Sequence, residues 1–259
     1  MDLHNVTVEA GGPVARITLD RPERRNALSL DTMAEVTVAL RAVADDPMAR
    51  VVVVQGNGPA FSAGHDLAEM VEHSDESYYR SLFDACVEMM QRIHELPLPV
   101  IARVHGVATA AGCQLVAACD LAVASEDARF ATPGVNIGLF CSTPMVPISR
   151  VIGRRRALEM LLTGEMIDAA TAAEWGLVNR VVPLDRLDHE VDALASRIAQ
   201  ASRAVVALGK RAFYAQEAAD EDGAYEMTAR VMVANAMLPD AQEGMRAFLE
   251  RRPPVWPGS

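Results

Sequence analysis

The chain has 259 residues, 51% of them hydrophobic and 23% charged, with a formal net charge of −11. That size and composition fit one large globular domain or a domain with an extension, and the negative balance disfavours nonspecific partners such as nucleic acid or an anionic membrane. An anionic ligand therefore needs a local basic patch, and every basic residue except Lys210 is arginine, whose fork can bond two phosphate oxygens at once.

Met1-Asp-Leu-His-Asn5 lacks the basic-then-apolar layout of a signal peptide. Val6–Ala10 and Val14–Leu19 alternate around Gly11-Gly12-Pro13, the pattern of a hairpin. Ser29 is placed to cap a helix with Asp31 in its first turn, Met33, Val36, Leu40 and Val43 on its apolar face, and Asp45-Asp46-Pro47 as its stop. Val51–Val54 is a short continuous apolar run, as expected of a strand covered on both faces. A helix over Ser77–Leu96, a second buried strand over Val100–Val104, a helix over Gly112–Ala118 and a strand over Leu121–Ala124 follow. The small-residue run Val107–Ala124 is interrupted by Gly112, Gln114 and Asp120, so it reads as core and not as a membrane span.

Arg155–Leu162 reads as helical up to Gly164, Asp168–Trp175 as a short helix ended by Gly176, and Val178–Val182 as a strand before Pro183. Four helical patterns then succeed one another: Leu187–Ala199, Arg203–Ala215, Tyr225–Met237 and Ala241–Glu250, with Pro239 separating the last two. The expected organisation is an α/β core over residues 1–190 and a helical region over 191–259. Cys86, Cys113, Cys119 and Cys141 have no C-x-x-C spacing, which predicts buried apolar thiols, a reducing compartment and a cytoplasmic location.

Two segments carry the chemistry. Phe61-Ser-Ala-Gly-His-Asp-Leu67 and Val107-Ala-Thr-Ala-Ala-Gly-Cys-Gln-Leu115 each follow a buried strand and turn through small residues. Small residues let backbone approach a ligand closely, and two exposed backbone N–H groups can hold a developing negative charge on a carbonyl oxygen. Tight strand-to-helix turns with no ligand are the structural alternative.

With these segments the chain resembles the crotonase (enoyl-CoA hydratase/isomerase) superfamily over nearly its whole length. The resemblance also rests on Arg21-Pro-Glu-Arg-Arg-Asn-Ala-Leu28, Val104-His-Gly-Val-Ala108, Leu161-Leu-Thr-Gly164, Ala173–Pro183 and Asp240–Pro254, all in the right order. Phe130–Pro144 looks most like a divergent branch, the enoyl-CoA hydratase domain-containing protein 3 type, which is short of acidic residues at the site. The resemblance implies a crotonase-type spiral of ββα units with a C-terminal helical trimerisation region, and a homotrimer or homohexamer. It implies an acyl-CoA thioester ligand, a lyase or isomerase of fatty-acid metabolism, no metal, and no cofactor beyond the coenzyme A of the substrate.

Carried over by position, the backbone N–H groups of His65 and Ala111 form the oxyanion hole. Ala63, His65, Asp66, Leu67 and Ala111 line the CoA ester, and Arg24 and Arg25 meet its phosphates, Arg25 first. Phe248 and Arg251 reach it from the last helix. The two catalytic positions that hold glutamate in active hydratases of the family read Gln114 and Gly134. An amide orients water but does not exchange a proton near neutral pH, and glycine offers no side chain. Efficient hydration is therefore not expected, and a non-catalytic CoA-ester-binding or partner subunit is the alternative.

Other groups remain open at this level. The His65 side chain is either a proton shuttle or a satisfied polar residue. Asp66 reads as a turn or capping residue. Cys141 and Ser142 are nucleophiles only if a base stands beside them; otherwise they line a pocket. Arg154-Arg155-Arg156 opens a helix against its dipole, either at an anion or as a surface cluster.

Overall fold

The computed structural model describes residues 3–257. Of the N-terminal segment read above, Met1 and Asp2 lie outside the described residues.

The chain opens with β1 (Val6–Glu9) and β2 (Val14–Leu19), an antiparallel hairpin in which Val6 faces Leu19. A 3-10 turn over Pro22–Arg24 leads to α1 (Leu30–Asp45), where the Ser29 hydroxyl accepts a hydrogen bond from Thr32 N. Then come β3 (Val51–Gly56), β4 (Ala60–Ser62), α2 (Leu67–Glu72) and α3 (Glu76–Glu95). The next unit is β5 (Val100–Val104), β6 (Val107–Thr109) and α4 (Ala111–Ala118). A third follows with β7 (Leu121–Ser125), β8 (Arg129–Ala131), a 3-10 turn over Pro133–Ile137 and α5 (Met145–Ile152).

This repetition builds the spiral. The first strand of each unit joins a large sheet of order β1-β2-β3-β5-β7-β10, where β10 is Arg180–Val182. The second strand joins a smaller sheet of order β4-β6-β8-β9, where β9 is Ile167–Asp168. Pairing from β2 through β10 in the large sheet and from β4 to β8 in the small one is parallel. Successive units therefore stack with their turns at the same end. Between α5 and β10 lie α6 (Arg154–Thr163) before β9 and α7 (Ala169–Trp175) after it, the latter capped by Asp168 and ended by Gly176 at φ 91°.

The apolar runs of β3, β5 and β7, interrupted in β5 by Arg103 where it reaches Asp188, are explained by cover on both faces. Val52, Val54, Val100, Ala102 and Ala124 belong to the main core with α1, α3 and α4. Their neighbours Val51, Val53, Ile101 and Val123 face the other way, onto Leu187, Val191 and Ala195 of α8 (Leu187–Ala199). The period-2 alternation is present in the side-chain directions but invisible in polarity, because neither face meets water. The expected boundary after residue 190 falls inside α8, and that helix is the rear cover of the large sheet.

The remaining helices are α9 (Arg203–Gln216), α10 (Glu221–Ala236) and α11 (Pro239–Glu250), with Pro239 in the first turn of α11. No residue of α9 or α10 is fully buried. The anchor of α9 is Lys210, the residue singled out above as the one lysine. Its ammonium donates to Ile93 O at 2.7 Å, Leu98 O at 2.8 Å and the Asp120 carboxylate at 2.6 Å. Tyr214 donates to the other Asp120 oxygen at 2.7 Å and stacks on His94, with ring centroids 4.0 Å apart.

The Lys210 side chain is 7% exposed and that of Asp120 15%, so removing one charge strands the other in a dry site. We expect Lys210→Met to lower the free energy of unfolding in urea by ~3 kcal/mol, and Lys210→Met combined with Asp120→Asn to recover part of that loss. A single variant as stable as the parent contradicts the anchor.

Candidate active site

The turns after β4 and β6 lie side by side, because those strands are parallel neighbours. At each contact there is room only for glycine. A Cβ on Gly64 would fall 2.9 Å from Ala110 Cβ and 3.1 Å from Ala111 N. A Cβ on Gly112 would fall 2.2 Å from Ser62 O. Gly64 itself has φ 90°, open to glycine at no steric cost. Ala110 has no such licence, yet sits at φ 49° and ψ −119° as the residue before α4. Such a conformation persists only where the surroundings enforce it. Here Ala110 N donates to Ala131 O at 2.9 Å, while Thr109 Oγ1 donates to Ala63 O at 3.1 Å.

The direction of the His65 amide follows from a single parallel bridge. Leu28 N donates to Gly64 O at 2.7 Å and Asp66 N donates to Leu28 O at 3.3 Å. The residue between, His65, must point its own N–H away from Leu28. Among the described residues that N–H has no acceptor. Ala111 N, the first amide of α4, has none either, as expected of a first-turn N–H. Ser62 locks the first turn: its hydroxyl donates to Asn26 O at 2.9 Å and accepts from Gly64 N at 3.2 Å.

A cavity of about 590 Å³ opens at this point, lined by Ala63, His65, Leu67, Ala111 and Gly134 among others. Its wall is mostly apolar, with Met70, Phe83, Leu139 and Phe140. Among the described residues no carboxylate lines it, and His65 and Cys141 carry its only titratable side chains. Gln114 is not part of this wall. It is 3% exposed on α4, accepts from Cys86 Sγ at 3.7 Å, and lines a second cavity of about 410 Å³ together with His94, Arg150 and Glu217. The two cavities share Thr143. Of the expected site residues, His65, Ala111 and Gly134 line this cavity, and Gln114, three residues further along α4, lines the adjoining one.

Position 134 is closed as well as empty. The chain doubles back so that Leu139 N donates to Gly134 O at 2.9 Å. A Cβ on Gly134 would lie 2.5 Å from Leu139 O and 2.9 Å from Cys141 Sγ.

The other candidates are placed as follows. Asp66 is buried and committed: one carboxylate oxygen accepts from Ala68 N and Glu69 N as the cap of α2, and the other meets Arg21 at 3.3 Å. Leu67, the first residue of α2, is 50% exposed. Burial pushes the Cys141 thiol up, which keeps it protonated and unreactive. Ser142 donates to Phe140 O at 3.4 Å. Burial alone drives the His65 imidazole down to about 4, so it is neutral near pH 7.

Arg24 and Arg25 are exposed on the loop that Ala63 N fastens through Arg25 O at 3.0 Å. Neither guanidinium has a carboxylate partner among the described residues. Buried Asn26, which the motif reading passed over, ties that loop to β4 by donating to Asn57 O and Ala60 O, each at 2.8 Å. Phe248 and Arg251 are exposed on and just after α11 and line neither cavity. In the Arg154–Arg156 cluster, Arg156 is used locally, 3.7 Å from Glu174 and over the ring of Trp175.

The closed backbone at position 134 has a measurable consequence. Gly134→Ala is expected to cost ~1–3 kcal/mol of unfolding free energy in urea, as overpacking does, and Gly134→Glu to give no gain in hydration of an enoyl-CoA. A Gly134→Ala variant of unchanged stability contradicts the crowding.

Comparison with known proteins agrees with this architecture. The family model described as enoyl-CoA hydratase/isomerase matches residues 9–259. A Xenopus laevis relative named enoyl-CoA hydratase domain-containing protein 3, mitochondrial, is 49% identical over 94% of this chain and 83% of its own length. A crystal structure of an enoyl-CoA hydratase from Mycobacterium smegmatis superposes with a TM-score of 0.95 at 50% identity, covering 98% of this chain and 99% of that one. The human enoyl-CoA hydratase domain-containing protein 3 superposes with a TM-score of 0.95 at 46% identity, covering 98% of this chain and 100% of that one. The expected cytoplasmic location is overturned: the domain-containing protein 3 relatives from frog, fish, rodents and human are named mitochondrial. Reduced thiols report the redox state of a compartment and not which compartment it is. The chain therefore belongs to the enoyl-CoA hydratase/isomerase family, with the crotonase fold, and resembles its domain-containing protein 3 branch.

Proposed function

We propose that this chain is an acyl-CoA-thioester enzyme that stabilises a thioester enolate between the backbone N–H groups of His65 and Ala111, and that it is not an efficient hydratase. The observation that carries the reading is one cavity with two amides lacking acceptors at its wall and no carboxylate. A thioester carbonyl gains negative charge when a proton leaves its α-carbon. Each preorganised N–H aimed at that oxygen is worth ~3–4 kcal/mol in the transition state. The Ala111 amide also stands at the start of α4, where the helix dipole favours an anion.

Hydration needs one group to deprotonate water and another to protonate the α-carbon, each worth about 10²–10⁴-fold. The cavity wall supplies no pair of carboxylates for this. Chemistry that needs the hole and a single proton carrier fits better: isomerisation of a double bond, or another enolate-forming step. The nucleotide end of the ester is assigned to Arg24 and Arg25, which are exposed beside the site with no carboxylate to compete. Assembly into a homotrimer or homohexamer is supported by the apolar surface of the tail, where Tyr225, Met237, Phe248 and Leu249 are each at least 70% exposed. In such an assembly Phe248 and Arg251 reach the ester of a neighbouring subunit.

Two outcomes are expected. Turnover of a short 2-enoyl-CoA falls at least ~10³-fold below that of a family hydratase with both glutamates, while enoyl-, β-keto- or malonyl-type CoA esters raise the unfolding temperature. Comparable hydration refutes the reading, and binding of every ester with turnover of none replaces it by the non-catalytic binding subunit. Separately, Arg25→Asn, which tolerates the φ of 52° at this position, should weaken CoA-ester binding more at low salt than at high salt. Equal loss at both argues against a phosphate contact.

A further inference from the structure

We propose, building on the acyl-CoA reading above, that the His65 imidazole is the proton carrier of the cavity, removing a proton from C2 of a bound 3-enoyl thioester and returning it at C4. The ring lines the same cavity as Ala111 and Gly134. It stands edge-on to Phe83, with ring centroids 5.5 Å apart and planes at 78°. Its Nε2 is enclosed without a hydrogen-bond partner, while Nδ1, which no protein group bonds among the described residues, is the ring nitrogen that keeps accessible surface. A buried polar atom left unpaired costs about 1–3 kcal/mol, so one that persists at a cavity wall calls for an explanation. Nε2 is closed off by protein, so Nδ1 is the nitrogen that a ligand in the cavity can meet. The imidazole also leaves the same Cα as one of the two amides assigned to the thioester oxygen, which keeps ring and acyl head together.

The other titratable groups around the cavity are committed or silent. Asp66 caps α2 and pairs with Arg21. Glu69 accepts from Leu30 N at 3.2 Å. On α3, burial with Glu69 nearby pushes the Tyr78 hydroxyl up to about 12. Burial keeps the Cys141 thiol protonated. Removal from water brings the imidazole to about 4, beside the ~4.3 of an ordinary glutamate. At pH 7 it is a neutral base of carboxylate strength. Once protonated, it sits as a cation next to the enolate, an attraction strengthened by the apolar wall.

The step balances without a second reagent. The C2–H bond breaks, a ring N–H forms, and the electron pair passes into the carbonyl as a dienolate. The N–H bond then breaks, C4–H forms, and the double bond settles between C2 and C3. Nothing is oxidised or reduced.

The test uses trans-3-hexenoyl-CoA with the whole chain, His65→Gln and His65→Ala, following ester binding by thermal shift and the 2-enoyl product by absorbance over a range of pH. Both variants keep the backbone amide. They should bind the ester within a few-fold of the parent but isomerise it about 10²–10⁴-fold more slowly. The parent's rate should rise with pH along a limb that both variants lack, because the neutral ring is the active form. Variants within tenfold of the parent, or a parent that binds the ester and leaves it unchanged, overturn the role of His65 while the acyl-CoA reading stands. A parent that binds no CoA ester removes both.

Discussion

The contact between two glycine turns governs this site. Gly64 and Gly112 press against Ala110, Ala111 and Ser62 so tightly that a methyl group fits at neither place. That contact exists because β4 and β6 are parallel neighbours in the small sheet, one unit of the spiral apart. It holds Ala110 in a left-handed conformation that alanine does not choose. It also leaves the His65 and Ala111 amides without acceptors at a common cavity. Strain, orphaned donors and cavity are consequences of one packing arrangement.

Much of the large sheet was legible because its strands are long enough to show as apolar runs. Val51–Val54, Val100–Val104 and Leu121–Ala124 all lie in strands of that sheet. The small sheet was not legible. Its strands β4, β6 and β8 have 3 residues each, too few for a period to declare itself. The six-residue α2 was hidden for the same reason. Pro144, just before α5, and Pro147, in its first turn, mask a helix that tolerates them only because they fall at its start. The boundary drawn at residue 190 split α8, since an amphipathic helix reads alike whether it covers a sheet or joins a tail.

The site was legible as a motif and less so as geometry. His65, Ala111 and Gly134 were placed by position, and all three line one cavity. Gln114 was grouped with them by the same argument, yet its side chain serves the adjoining cavity. The crowding at Gly134 could not be read from the chain, because it depends on Leu139 and Cys141 folding back over it. Nor could the use of Lys210, which a count of basic residues marks as unusual and only the fold turns into a staple to Asp120.

The electrostatics of the cavity differ from those of the molecule around it. The chain is strongly acidic overall, while the cavity wall holds no carboxylate. On the proposed function, a developing enolate there meets two amide dipoles and a neutral imidazole, with no carboxylate of the wall to repel it. In the proposed function both amides engage one thioester oxygen. Isotope-edited difference infrared spectroscopy of a bound acyl-CoA carrying ¹³C at the carbonyl reads this directly. Double donation polarises the bond and should shift the carbonyl band to lower frequency than that of the free ester; a bound ester whose carbonyl band stays at the position found in water or moves higher contradicts engagement by both amides.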